Sequence, residues 1–293
     1  MGLFKPAWEN KNKLKAIAAV EKITNQSVLL KIVHTSSLDY EVCNAAAAKL
    51  TEITNDQAIL GMVFLRIRNY EVRNATAEKL VKITNDQTIL AEIATFSNLY
   101  NEALEKITDQ NIIASILKSV YSIYNDEQKR DSALDRITEQ SILADIFEEF
   151  NKPKKGSYGG FSAKILEKIT DQTILVNISK MTDGYVADRE RAVQKITNPS
   201  FLFDIAKDTK TYFTVKYEAI NLITDQSNLK SIANDKSINM NVRIHAAERL
   251  NNSIVADRLK SECNEKERKE RSKRLTDEYE ARAEAFRNTG YNE

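Results

Sequence analysis

The chain has 293 residues, of which 42% are hydrophobic and 29% charged, and its 43 basic residues are balanced by 42 acidic ones. This near-neutral charge supplies no general field that would attract nucleic acid or an anionic membrane. Seven glycines and three prolines are too few for the many turns of a strand-rich fold, so the composition favours a helical protein.

The first eight residues are expected to form an N-terminal arm, residues 1–8, with Phe4 and Trp8 as anchors onto the first helix. The arm lacks the apolar core of a signal peptide, and no apolar run reaches the length of a membrane span. We therefore expect a cytoplasmic protein without membrane contact. Cys43 and Cys263 are too far apart in sequence for a metal-ligand spacing or a disulfide framework.

One phrase recurs eight times along the chain, at a spacing of 24 to 32 residues. Its form is Lys-Ile-Thr-(Asn)-Asp-Gln-x-Ile-Leu. The threonines of the eight copies are Thr24, Thr54, Thr84, Thr108, Thr138, Thr170, Thr197 and Thr224. A worn ninth copy begins at Arg249. A repeat of this length is typical of a solenoid, in which supersecondary units stack on one another.

Each repeat is predicted to contain two helices. An Asp or Asn stands just before the glutamine of the phrase, as in Asp56-Gln57, and such a residue caps the start of a helix. Pro199 replaces the glutamine in the seventh copy, where proline is favoured as the first helical residue. Thr54 and Thr84 also match a capping box, so those two caps could lie one or two residues earlier. Apolar residues then recur three to four positions apart, as a one-sided helix requires.

The second helix of each repeat leads back to the next copy of the phrase. It is best defined by VRNATAEKL from Val72 and VRIHAAERL from Val242, which align without a gap. The second and third phrases arrive about one helical turn late, because TEI and VKI follow Leu50 and Leu80.

With these segments, the chain resembles the HEAT-like repeat family of α-solenoids over roughly residues 9–255. The resemblance implies an all-α fold, a right-handed α–α superhelix of about nine helix pairs that ends in an extended helix. It implies little about function, because one fold serves many activities.

The predicted solenoid is interrupted at residues 151–160, NKPKKGSYGG, which contain three of the seven glycines. We expect a flexible surface loop there, and a tolerated insertion is favoured over a binding loop. The segment does not match a phosphate-binding loop, because no Gly-Lys-Ser/Thr follows it.

Residues 256–293 are predicted to form a charged C-terminal helix whose middle, residues 266–274, is polar. Near its end, Leu275, Tyr279, Ala283 and Phe286 recur three to four residues apart. This stripe could fold back and cover the open end of the solenoid, as terminal repeats must. Alternatively, Leu275, Tyr279 and Phe286 could dock a partner or a second copy of the chain, which would give a homodimer. A nucleic-acid contact through 266–274 is less favoured because acidic residues interrupt the basic ones.

Alignment of the second helices brings five basic residues to one equivalent position, which we call the basic column. Its members are Arg73, Arg130, Arg189, Lys216 and Arg243, and the series is interrupted by Cys43, Tyr100 and Ser162. If second helices line the concave face, as the resemblance implies, the column could bind an acidic peptide, a phosphorylated segment or a nucleic-acid backbone. The alternative, which the neutral net charge favours, is an internal ladder of ion pairs with acids in neighbouring links. The candidate acids are Asp39, Asp183, Asp208 and Asp235.

The sequence contains no motif of an enzyme active site. His34 and His245 have no second His or Cys at metal spacing, and neither a nucleophile elbow nor a dinucleotide-binding glycine motif is present. We therefore expect no catalytic residue, no cofactor and no metal. The predicted function is a non-catalytic scaffold or adaptor that presents a curved repeat surface to a peptide or partner domain. The alternative is a nucleic-acid-binding or DNA base-excision module of the HEAT-like glycosylase type, which needs a basic groove with aromatic residues.

Overall fold

The structure, a computed structural model, describes residues 6–35, 38–123, 126–152 and 160–288, with the backbone alone for 122, 123 and 286–288. Within these ranges the chain is all-helical, with 18 α-helices, a short 3-10 turn at Ala7–Glu9 and no strand. This confirms the helical class expected from the composition. The chain divides into two compact units, Met1–Ile142 and Leu143–Glu293.

In the first unit, neighbouring helices pack in series. The helices are α1 (Lys13–Glu21), α2 (Gln26–His34), α3 (Tyr40–Ile53), α4 (Gln57–Arg66), α5 (Tyr70–Ile83), α6 (Gln87–Phe96), α7 (Tyr100–Lys106), α8 (Gln110–Ile123), α9 (Glu127–Asp135) and the start of α10 (Gln140–Phe150). Successive helices form the pairs α2–α3, α4–α5, α6–α7 and α8–α9, and alternate helices also touch, as α1 does α3 and α2 does α4. First and second helices thus form two layers, as in repeat proteins.

The second unit repeats this arrangement. After the remainder of α10 it contains α11 (Gly160–Lys168), α12 (Gln172–Ser179), α13 (Val186–Gln194), α14 (Pro199–Lys207), α15 (Phe213–Leu222), α16 (Gln226–Asn234), α17 (Met240–Arg249) and α18 (Ser253–Asn288). Helices α12, α14 and α16 each pack on the helix that follows them. The second helices α11, α13, α15 and α17 contact one another in order.

All eight first helices begin where the sequence predicts, at the glutamine of the phrase or at Pro199. Asp56 shows why: its carboxylate accepts hydrogen bonds from the N–H groups of Ala58 (2.8 Å) and Ile59 (3.2 Å), which have no partner within the helix. The earlier caps suggested at Thr54 and Thr84 are wrong. Their hydroxyls instead accept from the backbone N–H two residues on, ahead of the helix.

The apolar residues predicted on each first helix are buried. The two rows, three and six residues after the glutamine, are at most 4% exposed. They are Leu60, Leu90, Ile113, Leu143, Leu175, Leu202 and Leu229, and Val63, Ile93, Ile116, Ile146, Ile178, Ile205 and Ile232. Burial of such a side chain contributes about 1.5–3 kcal/mol, so these rows are a main source of packing energy.

The late phrases of the second and third copies correspond to longer second helices. Helices α3 and α5 have 14 residues each, whereas α13 has 9. The extra turn changes which residue of the phrase faces the core. In the third copy the isoleucine, Ile83, is 43% exposed and the threonine, Thr84, is buried. In the fourth copy the isoleucine at the same position, Ile107, is buried. The hydroxyl of Thr51, in the added turn of α3, lies 2.8 Å from that of Thr76, and one of the two donates to the other.

The glutamine of the phrase also connects neighbouring repeats. Gln110 Oε1 accepts from the backbone N–H of Thr138 in the next copy (2.8 Å), and its Nε2 donates to the carbonyl of Arg136 (3.1 Å). The same bond, also at 2.8 Å, joins Gln87 to Thr108 and Gln172 to Thr197. One side chain therefore satisfies backbone groups of the following link, which no secondary structure would otherwise pair.

The basic residue that opens the phrase makes a second connection, in the opposite direction along the chain. It donates to a carbonyl at the C-terminus of the preceding second helix, where carbonyls lack intrahelical partners and the helix dipole attracts a cation. The bonds are Lys106 to Val81 (2.7 Å), Arg136 to Ile107 (2.8 Å), Lys195 to Leu166 (2.7 Å) and Arg249 to Asn221 (3.0 Å).

Outside the repeats, the predicted N-terminal arm is in part a packed element. Trp8 lies in the 3-10 turn and is buried in the same apolar cluster as Ala16 and Val20. Phe4, the other predicted anchor, lies outside the described residues. The C-terminal helix begins at Ser253, three residues before the predicted boundary.

The predicted loop, residues 151–160, falls mostly outside the described residues, but both of its ends differ from the expectation. Asn151 is buried, and its side-chain oxygen accepts from the N–H of Tyr185 (3.1 Å). Gly184, with a φ of +83°, packs directly against it, and a Cβ there would lie 2.3 Å from Asn151 Nδ2. At the other end, Gly160 already belongs to α11.

Replacing Gln110 with alanine should lower the free energy of unfolding by about 1–2 kcal/mol, because two hydrogen bonds of about 0.5–1.5 kcal/mol each are lost. Gln57 is the matched control: it begins α4 in the same phrase position, and its side chain bonds to nothing else in the described chain. Urea unfolding of the two variants measures the difference. An equal loss in both would show that the glutamine matters only at the helix start.

Candidate functional site

Arg189, a member of the basic column, is buried rather than displayed. It is 1% exposed, and its Nη1 donates to the carbonyl of Met181, just beyond the end of α12. Its guanidinium carbon lies 4.2 Å from the centre of the Tyr212 ring, a cation–π contact from the next repeat. Arg189 therefore closes the C-terminus of the first helix of its own pair.

Two other residues at this position act in the same way. Arg243 is 7% exposed, and its Nε donates to the carbonyl of Ala233 near the end of α16 (3.0 Å). Cys43, which interrupts the series, places its thiol 3.5 Å from the carbonyl of Ile32 in the last turn of α2. The shared feature is a donor side chain aimed at unpaired helix carbonyls.

The remaining members contact aromatic rings or lie buried. The guanidinium of Arg73 lies 5.0 Å from the ring centre of Phe64 and 4.9 Å from that of Phe96, and Arg130 lies over Tyr121. Lys216 is 6% exposed; burial lowers the pKa of its ammonium group, and the charge of Asp208 opposes that shift.

The basic column is thus mainly internal, although not as the sequence suggested. Arg189 and Arg243 form no ion pair with an acid among the described residues; they bond to backbone carbonyls instead. Of the four candidate acids, Asp208 is the one that influences a column member, Lys216. Ligand binding by the column stays a prediction, and the burial of Arg189, Lys216 and Arg243 disfavours it.

The C-terminal helix α18 continues beyond the packed part of the second unit. Leu259 is buried, but every side chain from 264 to 285 is exposed, with Leu275 at 49% and Tyr279 at 72%. The suggestion that this stripe folds back onto the solenoid is therefore wrong for Leu275 and Tyr279. Ion pairs four residues apart, such as Lys269–Glu265 (2.7 Å), support the exposed helix. The side chain of Phe286 lies outside the described part of the chain.

A groove that the sequence analysis did not identify lies between the first two helix pairs of the first unit. We call it the Arg66–Arg68 groove; its volume is about 550 Å³ and it is open to solvent. Val33 and Ile67 are its buried apolar residues, and the half-buried thiol of Cys43 also lines it. Burial raises the pKa of that thiol, and the nearby positive charge of Arg66 opposes the shift.

The rim of the groove consists of exposed arginine and tyrosine side chains. Arg66 is the last residue of α4, and Arg68 follows in the link to α5. Tyr40, at the start of α3, is 71% exposed and lines the groove from the other side. Tyr70 begins α5 directly after the lining residue Asn69, and it is 66% exposed.

Neither Arg66 nor Arg68 has an ion pair or a side-chain hydrogen bond with any described residue. They differ in this from two acids in the links of the second unit: Asp235 lies 3.4 Å from Lys207, and Asp208 accepts from the N–H of Thr211 (3.1 Å). A signal was present in the sequence, because the segment Arg66-Ile67-Arg68-Asn69 has two cations and no acid.

The two histidines and the acidic residues do not assemble a metal site in the part of the chain that the structure describes, where no group of three or more metal-ligating side chains occurs. His245 stacks on Tyr217, with ring centres 4.5 Å apart, and its Nε2 lies 2.9 Å from Asn221 Oδ1. Burial lowers the pKa of this imidazole. Among the described helices none is long and apolar enough to cross a membrane.

Comparisons with models of protein families, with curated proteins and with solved structures each found no match to this chain. The structure itself supports the coarser class: an all-helical, repeat-like protein whose neighbouring helices pack in series. Membership of the HEAT-like family stays a prediction. The function has to be inferred from the surface.

Replacing Arg189 with alanine should lower the free energy of unfolding by about 2–5 kcal/mol, because a buried charged hydrogen bond and ring contact are lost and a cavity remains. Arg271 is the control, since it is exposed on α18 and has no bonded partner in the described chain. Its replacement should change stability by less than about 0.5 kcal/mol. Urea unfolding measures both; a small effect at Arg189 would contradict its structural role.

Proposed function

We propose that this chain is a protein–protein interaction module, a non-catalytic scaffold or adaptor that holds a partner on its repeat surface. One observation supports this most: exposed tyrosine and arginine side chains surround the Arg66–Arg68 groove. Tyrosine and arginine are enriched among the residues that dominate binding energy at protein interfaces. Most of the surface of Tyr40 and Tyr70 is exposed and therefore lies outside the packing of the repeats.

The internal bonding of the recurrent phrase also supports the proposal. In several copies the lysine, threonine, aspartate and glutamine of the phrase are engaged between or within repeats, as Lys106 and Gln110 illustrate. The recurrent residues therefore serve mainly the architecture. Residues that differ between copies, such as Arg66 and Arg68, remain for recognition.

The finer features of the fold belong to the same proposal. We propose that the helix pairs of each unit are HEAT-like and wind in a right-handed sense, as the recurrent phrase suggests. A cytoplasmic location, and docking or homodimerisation through Leu275, Tyr279 and Phe286, stay predictions from the sequence. The exposure of Leu275 and Tyr279 is compatible with docking.

The nucleic-acid or base-excision alternative has less support. It required the basic column to form a cationic groove, and three of its five members are buried. Such a partner would also bind through phosphate contacts that weaken steeply as salt rises. Salt dependence therefore separates this alternative from a protein partner.

The proposal predicts that the immobilised chain retains a specific protein from a lysate of its source organism, and that Tyr40→Ser with Tyr70→Ser abolishes the retention. The loss is expected because one exposed aromatic side chain, Tyr40, leaves the groove and a second, Tyr70, leaves the chain position next to its lining residue Asn69. Leu275→Ser with Tyr279→Ser is the matched control, since it also removes two exposed apolar groups. Quantitative mass spectrometry of nuclease-treated samples measures retention.

The control variant should retain the protein at the wild-type level. Retention lost only in the α18 variant would move the docking surface to the C-terminal helix. Retention abolished by nuclease would favour the nucleic-acid alternative. If wild type and both variants retain the same proteins, the proposed surface is wrong.

A further inference from the structure

The Arg66–Arg68 groove contains two arginines that form no ion pair. Arg66 and Arg68 stand two residues apart along the chain and both line the groove, without an ion pair to any described residue. Two carboxylates belong to the start of α3. Glu41 pairs with Lys13 at 2.9 Å, whereas Asp39 accepts from a neutral donor, the backbone N–H of Glu41, also at 2.9 Å. Asp39 and Arg66 both act electrostatically on Cys43, so one acid partly offsets the charge of the two arginines.

The chemistry of the two side chains indicates what they bind. A guanidinium group presents several N–H donors in a planar fork, which matches the two oxygens of a carboxylate. Arg66 and Arg68 are both exposed, so neither has been desolvated by the fold. The groove is therefore complementary to a pair of anionic groups close enough together to reach both guanidinium groups.

The shape and surroundings of the groove favour a peptide. Its volume of about 550 Å³ is open to solvent, whereas small-molecule sites enclose most of the ligand surface. Tyr40 supplies a large exposed aromatic surface, and the half-buried Leu38 supplies apolar surface, above the buried Val33 and Ile67. A nucleic acid would need a wider basic surface, which the chain's formal net charge of +1 does not provide.

We propose that the Arg66–Arg68 groove binds an acidic segment of a partner protein, in which two Asp or Glu carboxylates reach Arg66 and Arg68 while an intervening side chain packs against Tyr40 and Leu38. This inference rests on the proposed function, because it names the chemistry of the partner that the interaction module holds.

The direct test is selection from a random dodecapeptide library displayed on phage, with the full-length chain immobilised. Peptides with at least two acidic residues should be enriched, and they should not be enriched on a variant with Arg66→Ala and Arg68→Ala. The affinity of the leading peptide, measured by fluorescence anisotropy, should fall at least tenfold in that variant. Replacement of its acidic residues by their amides should cause a similar loss.

The matched control is a variant with Arg268→Ala and Arg271→Ala on α18. It removes the same charge from exposed positions that have no bonded partner in the described chain. Binding of the leading peptide should be unchanged. An equal loss in both variants would overturn the proposal, because it would show only a general effect of charge. Absence of acidic peptides from the enriched pool would overturn it as well.

Cys43 offers a second readout of the same site. It lines the groove, whereas Cys263, the other cysteine, lies on α18. The bound acidic peptide should slow alkylation of Cys43 by iodoacetamide and leave the rate at Cys263 unchanged, as measured by mass spectrometry. Equal rates at Cys43 with and without a saturating peptide would place the binding elsewhere and contradict the proposal.

These results separate the inference from the proposed function. In one outcome, the Arg66→Ala, Arg68→Ala variant still retains the wild-type partner from lysate, and no acidic peptide is selected. The proposed interaction function is then supported, and the proposal of an acidic ligand is wrong. If the wild-type chain retains no protein and selects no peptide, both proposals fail. Selection of a peptide that competes with the retained protein supports both.

Discussion

The hydrogen bonding of the links between repeats is the constraint on which the rest of the structure depends. A link leaves helix carbonyls and link N–H groups without partners, and buried or half-buried groups of this kind must be satisfied. In this chain the neighbouring repeat supplies the partners, as Gln110 does for Thr138 and Arg136 for Ile107. In several copies the glutamine and the basic residue of the phrase thereby join a repeat to the one after or before it, which is one reason for the phrase to recur.

Residues that bond between repeats and residues that are free on the surface therefore have different roles. A side chain that bonds between repeats has fewer free donors and acceptors for a partner. The basic column illustrates the point, because Arg189 and Arg243 close helix ends and are buried. We propose that recognition uses positions that the repeat does not need. Arg66, Arg68 and the exposed tyrosines beside them are such positions in the first unit.

The sequence was sufficient to predict the helical class and the starts of the first helices, because caps and apolar spacing are local signals; only the starts near Thr54 and Thr84 were left open by one or two residues. The rows that contain Leu60 and Val63 were predicted for the same reason. The partners of the basic column were not predictable from the sequence. Every residue has a backbone carbonyl, so no residue type marks the carbonyls that Arg189 and Arg243 contact, and acidic residues were the expected partners. The groove was missed because it forms only when the end of α4 meets the start of α3. The burial of Asn151 depends on its contact with Gly184, which is distant in sequence.

Amide hydrogen exchange at the links, followed by NMR, tests the central claim most directly. If glutamine side chains hold adjacent repeats together, the N–H groups of Thr108, Thr138 and Thr197 should exchange slowly. The N–H groups of Asn55 and Asn85 are the internal reference, because they occupy links of the same phrase and have no acceptor in the described chain. Exchange at the three threonines as fast as at Asn55 and Asn85 would contradict the account.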